Sequence, residues 1–221
     1  MPTLVHTNSG KGRILIIRPV DFHLVRQVGY PGKAPGQLTF PCAVACTRPN
    51  EAGAGLDGGV WAVDPKTARA TLLDGKTGKC LCIIPDGRGD GQPLKFPNGI
   101  APDPGQGGCV WVSDSRNHRV RRFGVPYALE MSLSGKAIGV GKGGGNTTEG
   151  AARFDHPAQM VARDDGLVFV SDVIGCKVVA IRASDGTVMS RLSTLTPDFT
   201  AYPKALIDPS PWNPLLNTAE S

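Results

Sequence analysis

Aromatic side chains are scarce in this sequence: only 6% of its 221 residues are Phe, Trp or Tyr. That scarcity weighs against single-strand nucleic-acid recognition, which favours several rings for base stacking. No stretch is apolar for long enough to cross a membrane, and Met1 to Gly12 has no apolar core that could act as a secretion signal. A cytoplasmic location and no membrane partner are therefore expected. A long helix-period pattern is also missing, which points to short strands joined by tight turns. Histidine is limited to four residues, His6, His23, His118 and His156, and none stands at zinc-ligand spacing from a cysteine. Neither a Cys-x-x-Cys pair nor a Gly-x-Ser-x-Gly nucleophile elbow is present.

Glycine and proline are abundant instead, 29 and 19 residues, together more than a fifth of the chain. With 40% hydrophobic residues falling in regular runs, the composition is that of one folded domain of many strands and turns. A net charge of +5 permits acidic partners without requiring them. The six cysteines read as small buried hydrophobes in a reducing compartment: Cys42 with Cys46, Cys80 with Cys82, and Cys109 and Cys176 beside apolar runs.

Three stretches say nearly the same thing. Val60-Trp61-Ala62-Val63-Asp64, Val110-Trp111-Val112-Ser113-Asp114 and Val168-Phe169-Val170-Ser171-Asp172 are apolar runs ending in aspartate. A proline step precedes each: Phe40-Pro41, Phe96-Pro97, and Phe154 with Pro157. Five residues after each aspartate stands a base, Arg69, Arg119 or Lys177. The prolines are 56 and 60 residues apart and the aspartates 50 and 58. A period near 50 is the mark of a propeller or array.

Each unit reads as a four-stranded blade. In the middle copy the strands are Phe96 to Ala101, Cys109 to Ser113, His118 to Phe123, and a fourth around Lys136 to Val140. The copy before it uses Ala43 to Cys46, Val60 to Val63, Ala68 to Leu72 and Cys80 to Ile84. The copy after it uses Gln159 to Ala162, Leu167 to Ser171, Lys177 to Ile181 and Val188 to Leu192. Arg13 to Ile17 and Leu24 to Val28 look like the last two strands of a blade, and Tyr202 to Ile207 like a first strand. The expected division is a partial blade over 1–29, blades over 30–84, 85–141 and 142–193, and a partial blade over 194–221.

Phe96-Pro97-Asn98-Gly99-Ile100-Ala101, Val110 to Asp114 and Asn117-His118-Arg119-Val120 together resemble an NHL repeat. In the third copy Gly175 and Cys176 stand where Asn117 and His118 do, and the first copy has Lys66-Thr67-Ala68 in that turn. The resemblance covers about residues 29 to 207. It implies an all-β propeller of four-stranded antiparallel blades, in this family usually a closed ring of six. This chain holds about four blades' worth, read as an incomplete arc of a larger ring in preference to terminal pieces joined into a shared fourth blade. Such an arc has open edges and is expected to self-associate.

Asp64, Asp114 and Asp172 read as turn-fixing residues, accepting backbone N–H groups. The mouth of the central channel is where propeller sites are built, and its candidates follow the entry prolines: Cys42, Asn98, Gln159 and Lys204. Asn98 also resembles the metal-ligating asparagine step of gluconolactonase-like propellers, which hold a divalent cation with a glutamate, an asparagine and an aspartate. No matching glutamate is present here, and neutral amides hold Ca²⁺ or Mg²⁺ poorly without a carboxylate. No catalytic residue, metal or other cofactor is expected. Arg116, Arg119, Arg121 and Arg122, with Arg153 and Lys177, form a basic run. Some NHL propellers bind RNA across such a face, although here a solvated blade edge is the plainer reading. Gly141 to Gly145, Arg88-Gly89-Asp90 and Asn146-Thr147-Thr148 imitate a phosphate loop, an integrin tripeptide and a glycosylation sequon, and read as connectors. The expected function is a non-catalytic platform for an unidentified protein partner. The alternatives are a metal-dependent lactonase-like hydrolase using Asn98, and RNA binding through the basic face.

Overall fold

The computed structural model describes residues 4–47, 58–85, 92–105, 108–124, 128–134 and 154–193. They form an all-β arc of antiparallel sheets, with helix limited to two 3₁₀ turns, Ser9–Lys11 and Ser115–Asn117. Blade 1 contains β1 (Leu4–Asn8), β2 (Arg13–Arg18) and β3 (His23–Val28). A short parallel pair, β4 (Tyr30–Pro31) and β5 (Gln37–Leu38), leads out of it. Blade 2 contains β6 (Ala43–Cys46), β7 (Gly59–Asp64), β8 (Arg69–Asp74) and β9 (Cys80–Ile84). Blade 3 contains β10 (Pro97–Pro102), β11 (Val110–Asp114), β12 (Arg119–Gly124) and β13 (Ala128–Ser134). Blade 4 contains β14 (Pro157–Ala162), β15 (Leu167–Asp172), β16 (Lys177–Arg182) and β17 (Val188–Ser193).

Within every blade the strands pair in chain order. The proline-entered strands β6, β10 and β14 pack on one another, so they are the innermost. Proline suits that entry, where its missing N–H costs no ladder bond. A register shift follows the proline in β10 and β14, at Asn98-Gly99 and Ala158-Gln159. The second strands are buried from end to end in blades 2 and 3, because each sheet is covered by a neighbour on both faces. Three apolar clusters fill the gaps between successive blades. Trp61 and Trp111, at one place in their blades, are sealed between sheets, where burial of a large side chain stabilises by about 1.5–3 kcal/mol.

Several sequence expectations shift. The fourth strand of blade 3 is Ala128–Ser134, earlier than the Lys136 to Val140 stretch, which lies outside the described residues. Blade 1 has three strands rather than two. Its β1 ends in Asn8 and a 3₁₀ turn with Gly12 in the left-handed region, as β11 ends in Asp114 and a turn with His118 there. By that match β1, β2 and β3 are the second, third and fourth strands of a blade. Phe154 is not the counterpart of Phe40 and Phe96. Counting back from the prolines, buried Phe154 takes the place of buried Leu38 and Leu94, while His156 takes the place of the exposed rings. Of the cysteines only Cys109 is buried, Cys46 and Cys176 are exposed, and all six are free. No helix among the described residues is long and apolar enough to cross a membrane. Tyr202 to Ile207, Lys204, Arg153 and the three short look-alikes lie outside the described residues.

Candidate functional site

The recurring aspartates close each blade onto its own entry loop. Asp64 accepts the N–H groups of Thr39 and Phe40 at 2.5 and 3.0 Å, and those of Lys66 and Thr67 at 3.0 and 3.2 Å. Asp114 accepts the Lys95 N–H at 2.6 Å and the Asn117 side-chain amide at 2.8 Å. Asp172 accepts those of Asp155, His156 and Gly175. Carboxylates so occupied are braces. The base five residues on completes two of them: Arg119 Nε meets Asp114 at 2.7 Å and Lys177 Nζ meets Asp172 at 3.3 Å. Arg69 differs, donating to the carbonyls of Lys33, Ala34 and Gln37.

Three of the four channel-mouth residues converge. The Asn98 carbonyl accepts from Gln159 Nε2 at 3.1 Å and lies 3.8 Å from Cys42 Sγ. Gly99 permits this approach, since a Cβ there would stand 2.0 Å from the Ala158 carbonyl oxygen. Burial pushes the Cys42 thiol up to about 11, with the Asp64 charge adding to the effect. The thiol is therefore protonated at neutral pH and is a poor nucleophile there. Among the described residues no three His, Cys, Asp or Glu side chains converge as a metal site would need. At the other ends of the inner strands a depression of about 670 Å³ is lined by Cys46, Pro102, Pro104 and Ala162, with Arg163, Asp164 and Asp165 from the following turn.

The basic run is divided. Arg119, Arg121 and Arg122 are buried rather than solvated. Arg121 reaches the Gln92 carbonyl at 2.9 Å and lies over Phe123, between blades 2 and 3. On the opposite side of the sheet Arg122 faces Asp103 at 3.5 Å and Glu130 at 3.2 Å, beneath Trp111. Lys177 is half-buried on Asp172. Arg116 alone of the four arginines in the run is exposed.

Arg116 belongs to a feature that sequence reading did not single out. Its guanidinium lies 4.9 Å from the centre of the Phe96 ring, and in blade 2 Lys66 lies 5.0 Å from that of Phe40. Each cation follows its blade's aspartate by two residues, and each ring precedes its entry proline by one. The two pairs are thus the same device, and both rings are more than a third exposed, at 38% for Phe40 and 39% for Phe96. Blade 4 presents His156 and Ile174 at those positions, with His156 6.5 Å from Phe96. The neighbouring Val173 is exposed as well. The repeat thereby builds a ledge of rings, cations and apolar side chains across three blades, on the face that holds Cys42 and Asn98.

No protein-family model matches the sequence, and no curated protein matches it. Solved structures do. Virginiamycin B lyase from Staphylococcus aureus superposes with a TM-score of 0.55 at 13% identity, over 88% of this chain and 53% of the enzyme. A streptogramin B lyase gives 0.58 at 16% identity, over 88% and 52%. Hydrazine synthase of Kuenenia stuttgartiensis gives 0.57 at 14%, over 86% and 45%. The shared property is the propeller fold, and the chain spans about half the length of these structures.

Proposed function

We propose that this propeller arc is a non-catalytic platform that takes a protein partner on the ledge of Phe40, Phe96 and His156. The observation behind this reading is the repeated exposed ring with a cation over it. Aromatic and arginine side chains dominate the energetics of protein contacts, and exposed clusters of them mark contact surfaces. A partner offering carboxylates beside apolar groups suits Lys66 and Arg116 flanking the rings.

The lactonase-like alternative requires a carboxylate converging with the Asn98 side chain, whereas the contacts from Cys42 and Gln159 are to the Asn98 backbone carbonyl. The RNA alternative requires a solvated basic face, and three of its arginines are packed between sheets. The solved lyases lend the fold, and at 13–16% identity nothing of their chemistry is carried over.

Affinity capture tests the platform. The chain and a Phe40→Ala/Phe96→Ala variant of equal melting temperature are used as bait, and the captured protein is then titrated in purified form. A loss of about tenfold or more in affinity is expected for the variant. Equal binding by the two overturns the reading. So does hydrolysis of a lactone that needs Ca²⁺ and disappears in Asn98→Ala.

A further inference from the structure

Blades 2 and 3 each present one apolar face to the blade that follows. In blade 3 it comprises Ala101, Trp111, Val120 and Leu133, all buried in the cluster shared with blade 4. In blade 2 the corresponding Trp61, Ala70 and Ile84 are buried against blade 3. Strand register carries the pattern one step further. Ala101 pairs with Trp111, and Val161 pairs with Phe169; Val120 pairs with Leu133, and Val178 pairs with Leu192. Val161, Phe169, Val178 and Leu192 are therefore the same face on blade 4. Val161 is 61% exposed there and the other three are only half-buried.

The opposite end of the arc carries the complementary side. Blade 3 turns Val110 and Phe123 toward blade 2, and these two pair with each other. On blade 1 the matching pair is Leu4 and Ile17, followed by Leu24, which pairs with Ile17. Leu4 and Leu24 are each 49% exposed. The arc thus ends in the two halves of one interblade interface. Among the described residues these halves are not packed together.

We propose that a second copy of this chain covers them, blade 4 of each arc packing on blade 1 of the other. Complementarity by repeat position argues for this occupant, because the apolar face of blade 4 runs across all four strands and needs a whole sheet to cover it. Ring size argues for it too. The chain superposes on about half of single-chain propellers, so two arcs carry the sheets of one ring. The contact is head-to-tail, and it closes when the second contact repeats the first.

Sedimentation over a wide concentration range is the test, with Val161→Asp on one face and Leu4→Asp on the other. Wild type is expected at twice the 23.2 kDa monomer mass. Each variant alone is expected as a monomer, having lost both contacts. An equimolar mixture regains a dimer, because one intact face of each kind remains. Wild-type monomer at all concentrations overturns the proposal, as closure by the chain's own residues 202–207 would produce. Dimers that persist in both variants, or growth beyond the dimer, overturn it as well. If the mixture does not recover while circular dichroism shows both variants folded, the head-to-tail contact is wrong.

Discussion

Gly99 lies against Ala158 so closely that the two innermost strands of blades 3 and 4 are in backbone contact there, with no space for a side chain between them. A methyl at position 99 would meet the Ala158 carbonyl, a backbone atom that yields only if β14 moves. Gly99→Ala is expected to lose about 2–3 kcal/mol, the upper part of the overpacking range. Urea denaturation measures it, and a loss under about 0.5 kcal/mol, no more than a neutral surface substitution, would show that the strands separate easily.

The braces of blades 2 and 3 differ in a way that a double-mutant cycle detects. Asp114 holds both the entry loop and the buried Arg119 guanidinium, so Asp114→Ala should cost about 3 kcal/mol. Adding Arg119→Ala should recover at least about 1 kcal/mol of that loss. In blade 2 Arg69 binds carbonyls instead, so Asp64→Ala and Arg69→Ala should add within about 0.5 kcal/mol. Equal coupling in both blades would contradict the separate roles.

Ala68 holds the left-handed conformation (φ +55°) that Gly12 holds in blade 1. The side chain costs about 1–2 kcal/mol there, against a gain in unfolded-state freedom of about 0.5–1 kcal/mol for glycine. Ala68→Gly should raise stability by roughly 0.5–1 kcal/mol. A fall in the melting temperature would reverse the sign and refute the strain.

The raised Cys42 pKa sets a pH window. Below 9.0, its ordinary value, the thiol is neutral in folded and unfolded chain alike, and its contribution to stability is fully present. As pH rises from there through about 11, ionisation favours the unfolded chain and that contribution is lost. At pH 8 the native thiol should alkylate roughly a hundredfold more slowly than in denaturant, as read by peptide mass spectrometry. Cys42→Ala should flatten the loss of stability over the same window, and equal alkylation rates would show the thiol to be solvated.

Most blades were legible because the second strand repeats as an apolar run with a terminal aspartate, which braces the entry loop in blades 2, 3 and 4. The outer strand of blade 3 was misplaced because Ala128-Leu129-Glu130-Met131-Ser132-Leu133-Ser134 mixes polar and apolar residues, although Pro126 and Gly135 bracket it. β1 was missed because Asn8 stands where the other copies have aspartate. The convergence of Cys42, Asn98 and Gln159 followed from position after the entry prolines. Burial of Arg121 and Arg122 did not, since neighbours cover both faces of a blade and alternation along a strand then says little about exposure. The ledge escaped notice for a related reason: Phe40 and Phe96 looked like core letters of the repeat, whereas Leu38 and Leu94 fill that role.

The aspartate brace never leaves its own blade, whereas contact with the next blade runs mainly through apolar faces that recur at fixed positions. A duplicated stretch of gene encoding one blade therefore brings its own fastening and two surfaces already matched to its neighbours. Copies can be gained or dropped without redesigning the rest, and individual sites are free to diverge, as Thr71, Arg121 and Val179 have at one equivalent position.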